Sequence, residues 1–310
     1  MKKIILFILS FLCCINVVFA KDIEINNSII EFNDIDGYNL QGFTTTNTHL
    51  FAVLISKDDS KSIIKVFDLN SYKEILTING GSLGHANDVT YNSKKNEIYV
   101  ISASGSSRLN IFDGNSFRYK SFVDLNMPVR SITYLDDLDK YAVRLVTAGY
   151  ILDNEFNSNK FPFIIGMNAE YDVGRQGWAY YNNLIYYTNW SWVRKGGDGS
   201  NSILVYDLDG NRIEEYLTGN NIGEIEDIAF YKDKMILGFN CYDGKIRFFL
   251  ENIPVIESDD KDIDDKTEII LEKKDDSSEE SNNYVIIGIS IFLIILSVII
   301  FFIKKKTSNK

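Results

Sequence analysis

Cysteine is almost missing from the region of this chain that has the composition of a folded domain. Of three cysteines in 310 residues, Cys13 and Cys14 lie within the first 20, and only Cys241 follows them. No disulfide can form inside that region, so it depends on its apolar core. Histidine is as scarce: His49 and His85 are the whole supply, and without a cysteine cluster they make no zinc set. The net charge of −11 leaves no surplus of Lys and Arg for phosphate contacts, which argues against nucleic acid as a partner. There is no phosphate loop ending in Lys-Ser/Thr and no His-Glu-x-x-His, so nucleotide enzymes and metal-dependent hydrolases of those types gain no support. Helix-period runs are also missing from 21–256, which disfavours helical solenoids and α/β folds.

Both ends carry address signals. Residues 1–20 run from Met1-Lys2-Lys3 through an apolar stretch to Val18-Phe19-Ala20. This is the layout of a secretory signal peptide, with cleavage expected after Ala20. The small residues that a lipoprotein site needs do not precede Cys13 or Cys14, so no lipid anchor is expected. Residues 284–303 are twenty in number and uncharged; at about 1.5 Å per residue they would span a hydrocarbon core of roughly 30 Å as a transmembrane helix. Lys304-Lys305-Lys306 then begin a basic tail, 304–310, which places the tail in the cytoplasm and the preceding domain outside, a single-pass type I arrangement. Between domain and membrane, 257–283 hold 12 acids against 4 lysines and read as a self-repelling, flexible stalk, with calcium capture as the alternative. No Leu-Pro-x-Thr-Gly precedes the apolar segment, so a membrane anchor is favoured over a cell-wall one.

The middle of the chain repeats. Gln41-Gly42-Phe43-Thr44-Thr45, Asn87-Asp88-Val89-Thr90-Tyr91, Arg130-Ser131-Ile132-Thr133-Tyr134, Gln176-Gly177-Trp178-Ala179-Tyr180 and Glu226-Asp227-Ile228-Ala229-Phe230 share one order: polar, small or acidic, apolar, Thr or Ala, then usually aromatic. Their starts lie 46, 43, 46 and 50 residues apart. A second β run follows each, and in most copies a third ends in Asp, as in Ile64-Lys65-Val66-Phe67-Asp68, Leu109-Asn110-Ile111-Phe112-Asp113 and Ile203-Leu204-Val205-Tyr206-Asp207. Turns rich in Asn, Asp and Gly lead on to a fourth. Four antiparallel strands at this period predict an all-β fold, a five-bladed β-propeller over 21–256. The fifth copy is one strand short, and the segment holding Ile23-Glu24-Ile25 and Ile29-Ile30-Glu31-Phe32 is free to complete it.

The pattern resembles the bacterial extracellular propellers with YVTN and NHL type repeats, and the resemblance covers nearly the whole of 21–256. The Gln-Gly-aromatic opening, with Gly84-His85-Ala86-Asn87-Asp88, is similar to secreted five-bladed proteins of the helveticin type. No Trp-Asp pair closes a blade, so the WD40 signature is missing.

In such a fold the innermost strands all start on one face, so Gln41, Asn87, Arg130, Gln176 and Glu226 are expected around the channel mouth, with Asp88 and Asp227 beside them. They read either as ligand contacts or as groups that satisfy strand ends and hold channel water. His85 belongs to the same face, as a ligand contact or as a bond to a neighbouring blade. The connection 189–201 holds Trp190, Trp192 and Arg194 among glycines; large indoles on a loop suit stacking against sugar rings or folding back onto a blade. Trp178 is expected in the core. Calcium is the one cofactor considered, at Asp88 and Asp227. The expectation for function is a cell-surface protein binding a glycan or cell-envelope polymer. The alternatives are a glycan hydrolase with Asp88 and Glu226 as its carboxylate pair, and a scaffold or receptor for an extracellular or membrane protein.

Overall fold

The computed structural model describes residues 20–256, except 34–36, 82, 103–106, 146–148, 164–173, 191–199 and 220–221. The expected stalk, transmembrane helix and tail lie outside the described residues, as does the signal peptide up to residue 19. Among the described residues no helix is long and apolar enough to cross a membrane.

Two short strands come first, β1 (Ala20–Asp22) and β2 (Ser28–Asn33). Blade one is β3 (Tyr38–Thr45), β4 (His49–Ser56), β5 (Ser62–Asp68) and β6 (Lys73–Gly81). Blade two is β7 (Val89–Asn92), β8 (Glu97–Ile101), β9 (Arg108–Asp113) and β10 (Tyr119–Asp124), and blade three is β11 (Ser131–Leu135), β12 (Lys140–Arg144), β13 (Gly149–Leu152) and β14 (Ser158–Phe163). Blade four is β15 (Gly174–Tyr181), β16 (Leu184–Trp190), β17 (Asn201–Asp207) and β18 (Arg212–Leu217); blade five holds β19 (Gly223–Tyr231), β20 (Lys234–Cys241) and β21 (Lys245–Asn252). Neighbours within each blade pair antiparallel in chain order. The fold is an all-β, five-bladed propeller.

The core lies between blades rather than within them. Along β4, Leu50, Ala52 and Leu54 pack towards blade five, while Phe51, Val53 and Ile55 pack towards blade two. Successive side chains of a strand point to opposite faces, and here both faces are covered. That is why the second strands are continuous apolar runs instead of alternating ones. Five such clusters, one per interface, replace the disulfides that the chain cannot make.

Ring closure uses half of the segment expected for it. Strand β2 pairs with β21 as the outermost strand of blade five, with Ile30 opposite Phe248 and Phe32 opposite Ile246. Arg247 Nε donates to Glu31 Oε2 at 2.6 Å. Ile23-Glu24-Ile25 does not take part. Instead β1 adds to the outer edge of blade four, parallel to β18, and Ile23 N donates to Leu217 O at 2.8 Å. The side chains of Ile23 and Ile25 pack on the cluster between blades four and five.

The third strands end in Asp for a local reason. Asp68 Oδ1 accepts Ser71 N at 2.7 Å, Asp113 Oδ1 accepts Ser116 N at 2.8 Å, and Asp207 Oδ1 accepts Asn211 N at 2.7 Å. Blade three repeats the device with Asp153 and Asn157, although its third strand lacks the rest of the signature. The turns also need one residue at positive φ: Tyr72, Phe117 and Phe156 at 57°, 57° and 67°, and Gly210 at 85°. The three aromatic residues offset the backbone cost by burying their rings at blade interfaces. Asp207 to Asn211, which has the look of a calcium loop, spends its carboxylate on the turn.

Candidate functional site

The channel is built by the five repeated segments. In β3, β15 and β19 the ladder slips where the repeat begins: between Leu40 and Gly42, between Arg175 and Trp178, and between Ile225 and Asp227. Gln41, Gln176 and Glu226 therefore sit on β-bulges, which re-aim a side chain that a regular strand would hold in register. Gln41 Nε2 donates to Leu40 O at 3.0 Å, and Gln176 Nε2 reaches blade five, donating to Glu224 Oε1 at 2.7 Å. Both glutamines are half-buried, whereas Glu226 is only 3% exposed.

One step deeper, the second and third positions of the repeat form a hub. Asp88 and Asp227 are both fully buried. Asp88 accepts Val89 N at 2.8 Å, Ile132 N at 2.9 Å and the backbone N–H of Trp178. Asp227 accepts Phe43 N at 2.8 Å and Ile228 N at 2.7 Å. These five donors are the third residue of the repeat in each of the five blades. Two carboxyl groups thus hold five innermost strands at one point. The two carboxyl groups are neighbours, and each disfavours the charged form of the other. The small second residues give them room. A Cβ on Gly177 would collide with Asp227 Oδ1 and Cγ, and one on Gly42 would come within 3.1 Å of the Asp88 backbone.

Burial is the main cause of the electrostatics. It pushes both Asp88 and Asp227 well above the usual carboxylate range; backbone donors and the Arg144 charge pull Asp88 back, while the neighbouring Asp88 charge raises Asp227 further. Glu226 is raised by burial and then by Glu224, against the amide of Asn240, whose Nδ2 donates to Glu226 Oε1 at 2.6 Å. A raised carboxyl suits a general acid, but it must also reach substrate within hydrogen-bond distance. Of the candidate catalytic pair, Asp88 has both oxygens on backbone N–H groups, and Glu226 Oε1 accepts the Asn240 amide. A calcium ion takes six to eight oxygen ligands, and the oxygens of Asp88 and Asp227 face N–H groups. Among the described residues no group of three or more His, Cys, Asp or Glu is arranged to hold a metal ion.

The other candidates are dispersed. His85 Nδ1 lies 2.9 Å from Asp59 Oδ1, joining the entry to blade two to the β4–β5 turn of blade one. Asn87 is half-buried with its Oδ1 enclosed and unbonded. Arg130 has an exposed side chain, and its backbone N donates to Arg144 O at 2.7 Å. Trp190 is not on a loop: it is the last residue of β16, opposite Asn201, and its partly buried ring packs on the core between blades four and five. Trp192 and Arg194 lie outside the described residues. Trp178 is core, at 1% exposure.

Three polar residues missed in the sequence join blades around the channel. Asn240 acts as a piece of strand for blade one, its Oδ1 accepting Leu40 N at 2.9 Å and its Nδ2 donating to Leu40 O at 3.0 Å. Asn201 does the same for blade five, with Ile225 N at 3.0 Å and Gly223 O at 2.9 Å. Arg144, 4% exposed, donates to Ser131 Oγ at 2.9 Å and helps to offset the charge at Asp88.

Comparison with protein-family models and with curated proteins gave no match. Among solved structures, Kuenenia stuttgartiensis hydrazine synthase aligns over 66% of this chain and 57% of its own, at 11% identity and a TM-score of 0.41. KlHsv2 with loop 6CD replaced by a Gly-Ser linker aligns over 66% of this chain and 75% of its own, at 13% identity and a TM-score of 0.37. This chain therefore spans little more than half of the hydrazine synthase chain. The assignment as a propeller rests on the sheet topology.

Proposed function

We propose that this is a membrane-anchored cell-surface recognition protein whose channel-mouth face binds an extracellular glycan or cell-envelope polymer. The observation that carries the reading is the contrast in depth at the channel. Bulges bring the half-buried amides of Gln41 and Gln176 to the mouth, while Asp88 and Asp227 lie below it under backbone donors. Such a face can hydrogen-bond hydroxyl groups, and Asp88 and Asp227 lie too deep to act as an acid–base pair between them. Arg130 and Asn87 extend the polar rim, Trp192 supplies a ring for stacking, and Arg194 favours acidic substituents.

A glycan and cell-wall array probed with residues 21–256, with and without calcium, tests this. Specific retention should be lost in Trp192→Ala; unchanged retention on every polymer sinks the reading. Release of reducing ends from those polymers would restore the hydrolase alternative. A blank array from folded protein would shift the search to a protein partner or scaffold role, by crosslinking on intact cells.

A further inference from the structure

On the face away from the channel mouth, the first turn of blade one and the first and third turns of blade two line a cleft of about 300 Å³, at the lower end of the ~300–1,000 Å³ usual for ligand pockets. It is lined by Asn47, Thr48, His49, Tyr91, Asn96 and Asn115, among others, and no lining residue carries a fixed charge. The cleft is shaped by close packing. Gly114 N donates to Asn96 O at 2.9 Å, and a Cβ on Gly114 would strike the Asn96 side chain. Tyr91 OH donates to Asn96 Oδ1 at 2.8 Å, and the His49 ring meets Phe117 edge-on at 5.2 Å. The three amides are uncommitted by contrast: among the described residues, the side chains of Asn47 and Asn115 and the Nδ2 of Asn96 make no hydrogen bond.

The corresponding places at the next two interfaces are bridged. Between blades two and three, Lys95 Nζ donates to Asn154 O at 2.6 Å and Lys94 lies 3.6 Å from Asp139. Between blades three and four, Tyr180 OH donates to Asp137 at 2.8 Å. Blade one puts the uncharged Thr46-Asn47-Thr48 where those blades put Lys94-Lys95 or Asp136-Asp137, and the gap stays open.

We infer that this cleft is a binding site for a neutral saccharide unit. Side-chain amides offer a donor and an acceptor side by side, the arrangement that vicinal hydroxyls satisfy. Tyr91 and His49 supply rings against which a sugar can lie. A phosphate or carboxylate would find no Lys or Arg in the lining to offset its desolvation. The site is separate from the channel mouth and does not depend on the reading proposed for it.

The test is saturation-transfer NMR on the full-length chain with glucose, galactose, N-acetylglucosamine and N,N′-diacetylchitobiose, and with glucuronate and glucose 6-phosphate as charged comparators. At least one neutral sugar should bind, and Asn47→Ala with Asn115→Ala should weaken it at least tenfold without moving the melting temperature. Trp192→Ala should leave that binding intact. The inference is overturned if no neutral sugar binds, if the charged comparators bind as well as the neutral ones, or if binding follows Trp192 and ignores Asn47 and Asn115.

Discussion

Replacing Gly177 by alanine probes the hub directly. The added Cβ would overlap Oδ1 and Cγ of Asp227 and lie 3.1 Å from its Cβ. The carboxylate cannot retreat without releasing Phe43 N, at 2.8 Å, or Ile228 N, at 2.7 Å. Overpacking a filled interior costs about 1–3 kcal/mol, and each buried N–H left without an acceptor costs about 1–3 kcal/mol more. With one donor lost the total is about 2–6 kcal/mol. For a domain of this size 1 kcal/mol corresponds to roughly 2–4 °C in Tm, so the midpoint should fall by about 5–20 °C. Thermal and urea unfolding followed by circular dichroism would measure it. Asp227→Ala removes the atoms that collide, so in the Gly177→Ala, Asp227→Ala double variant the alanine at 177 should cost clearly less than it does alone. A Gly177→Ala midpoint within a degree of the parent, or strict additivity in the double variant, would refute the hub as the holding point of the five strands.

The hub also shows how far the sequence could be followed. The repeat is legible as polar, small or acidic, apolar, and its period predicts the five blades. The second position alternates in size for a reason that no single copy contains: Asp88 and Asp227 occupy space that Gly42 and Gly177 vacate in other blades. Seen one blade at a time, an aspartate at a strand start reads as a mouth residue. Only with five N–H groups converging does it become the floor of the channel. The bulges are hidden for a related reason, because an extra residue on an inner strand changes no composition and only shifts the alternation by one.

Cross-blade devices were the least legible. Asn240 and Asn201 lie inside apolar second and third strands, where an isolated asparagine suggests an edge or a turn. Their amides work because the next blade presents a backbone N–H and C=O at Leu40, or at Ile225 and Gly223, and that neighbour is 200 residues away in sequence for Asn240. The Asp turns lie at the other extreme. Asp68 and Asp113 act within three residues of themselves, so local sequence suffices to identify them. Trp190 falls between: its indole packs on a core formed by two blades, and loop composition around it gave no sign that β16 would extend so far.

Closure and titration give two further tests. Deleting 28–33 removes the outermost strand of blade five and the buried Ile30, and should abolish cooperative unfolding; trimming the chain to begin at 23 removes only the short parallel β1 and should preserve it. Equal effects of the two deletions would count against closure by β2. The pH profile follows from the channel carboxyls. Burial raises Asp88, Asp227 and Glu226, while in the unfolded chain such groups titrate near ~4. Above that value the folded state holds more protons than the unfolded one, so stability falls as pH rises until the folded groups have also titrated, and is level beyond. The exposed turn aspartates Asp68, Asp113 and Asp153 act oppositely, being lowered mainly by their bonds to Ser71, Ser116 and Asn157, and their contribution is lost in acid. Urea midpoints should therefore peak at mildly acidic pH and decline towards neutral and alkaline values, and Asp88→Asn should flatten the decline even if it lowers the whole curve. A midpoint that climbs steadily from pH 5 to pH 8 would mean that burial does not raise the channel carboxyls in the folded state.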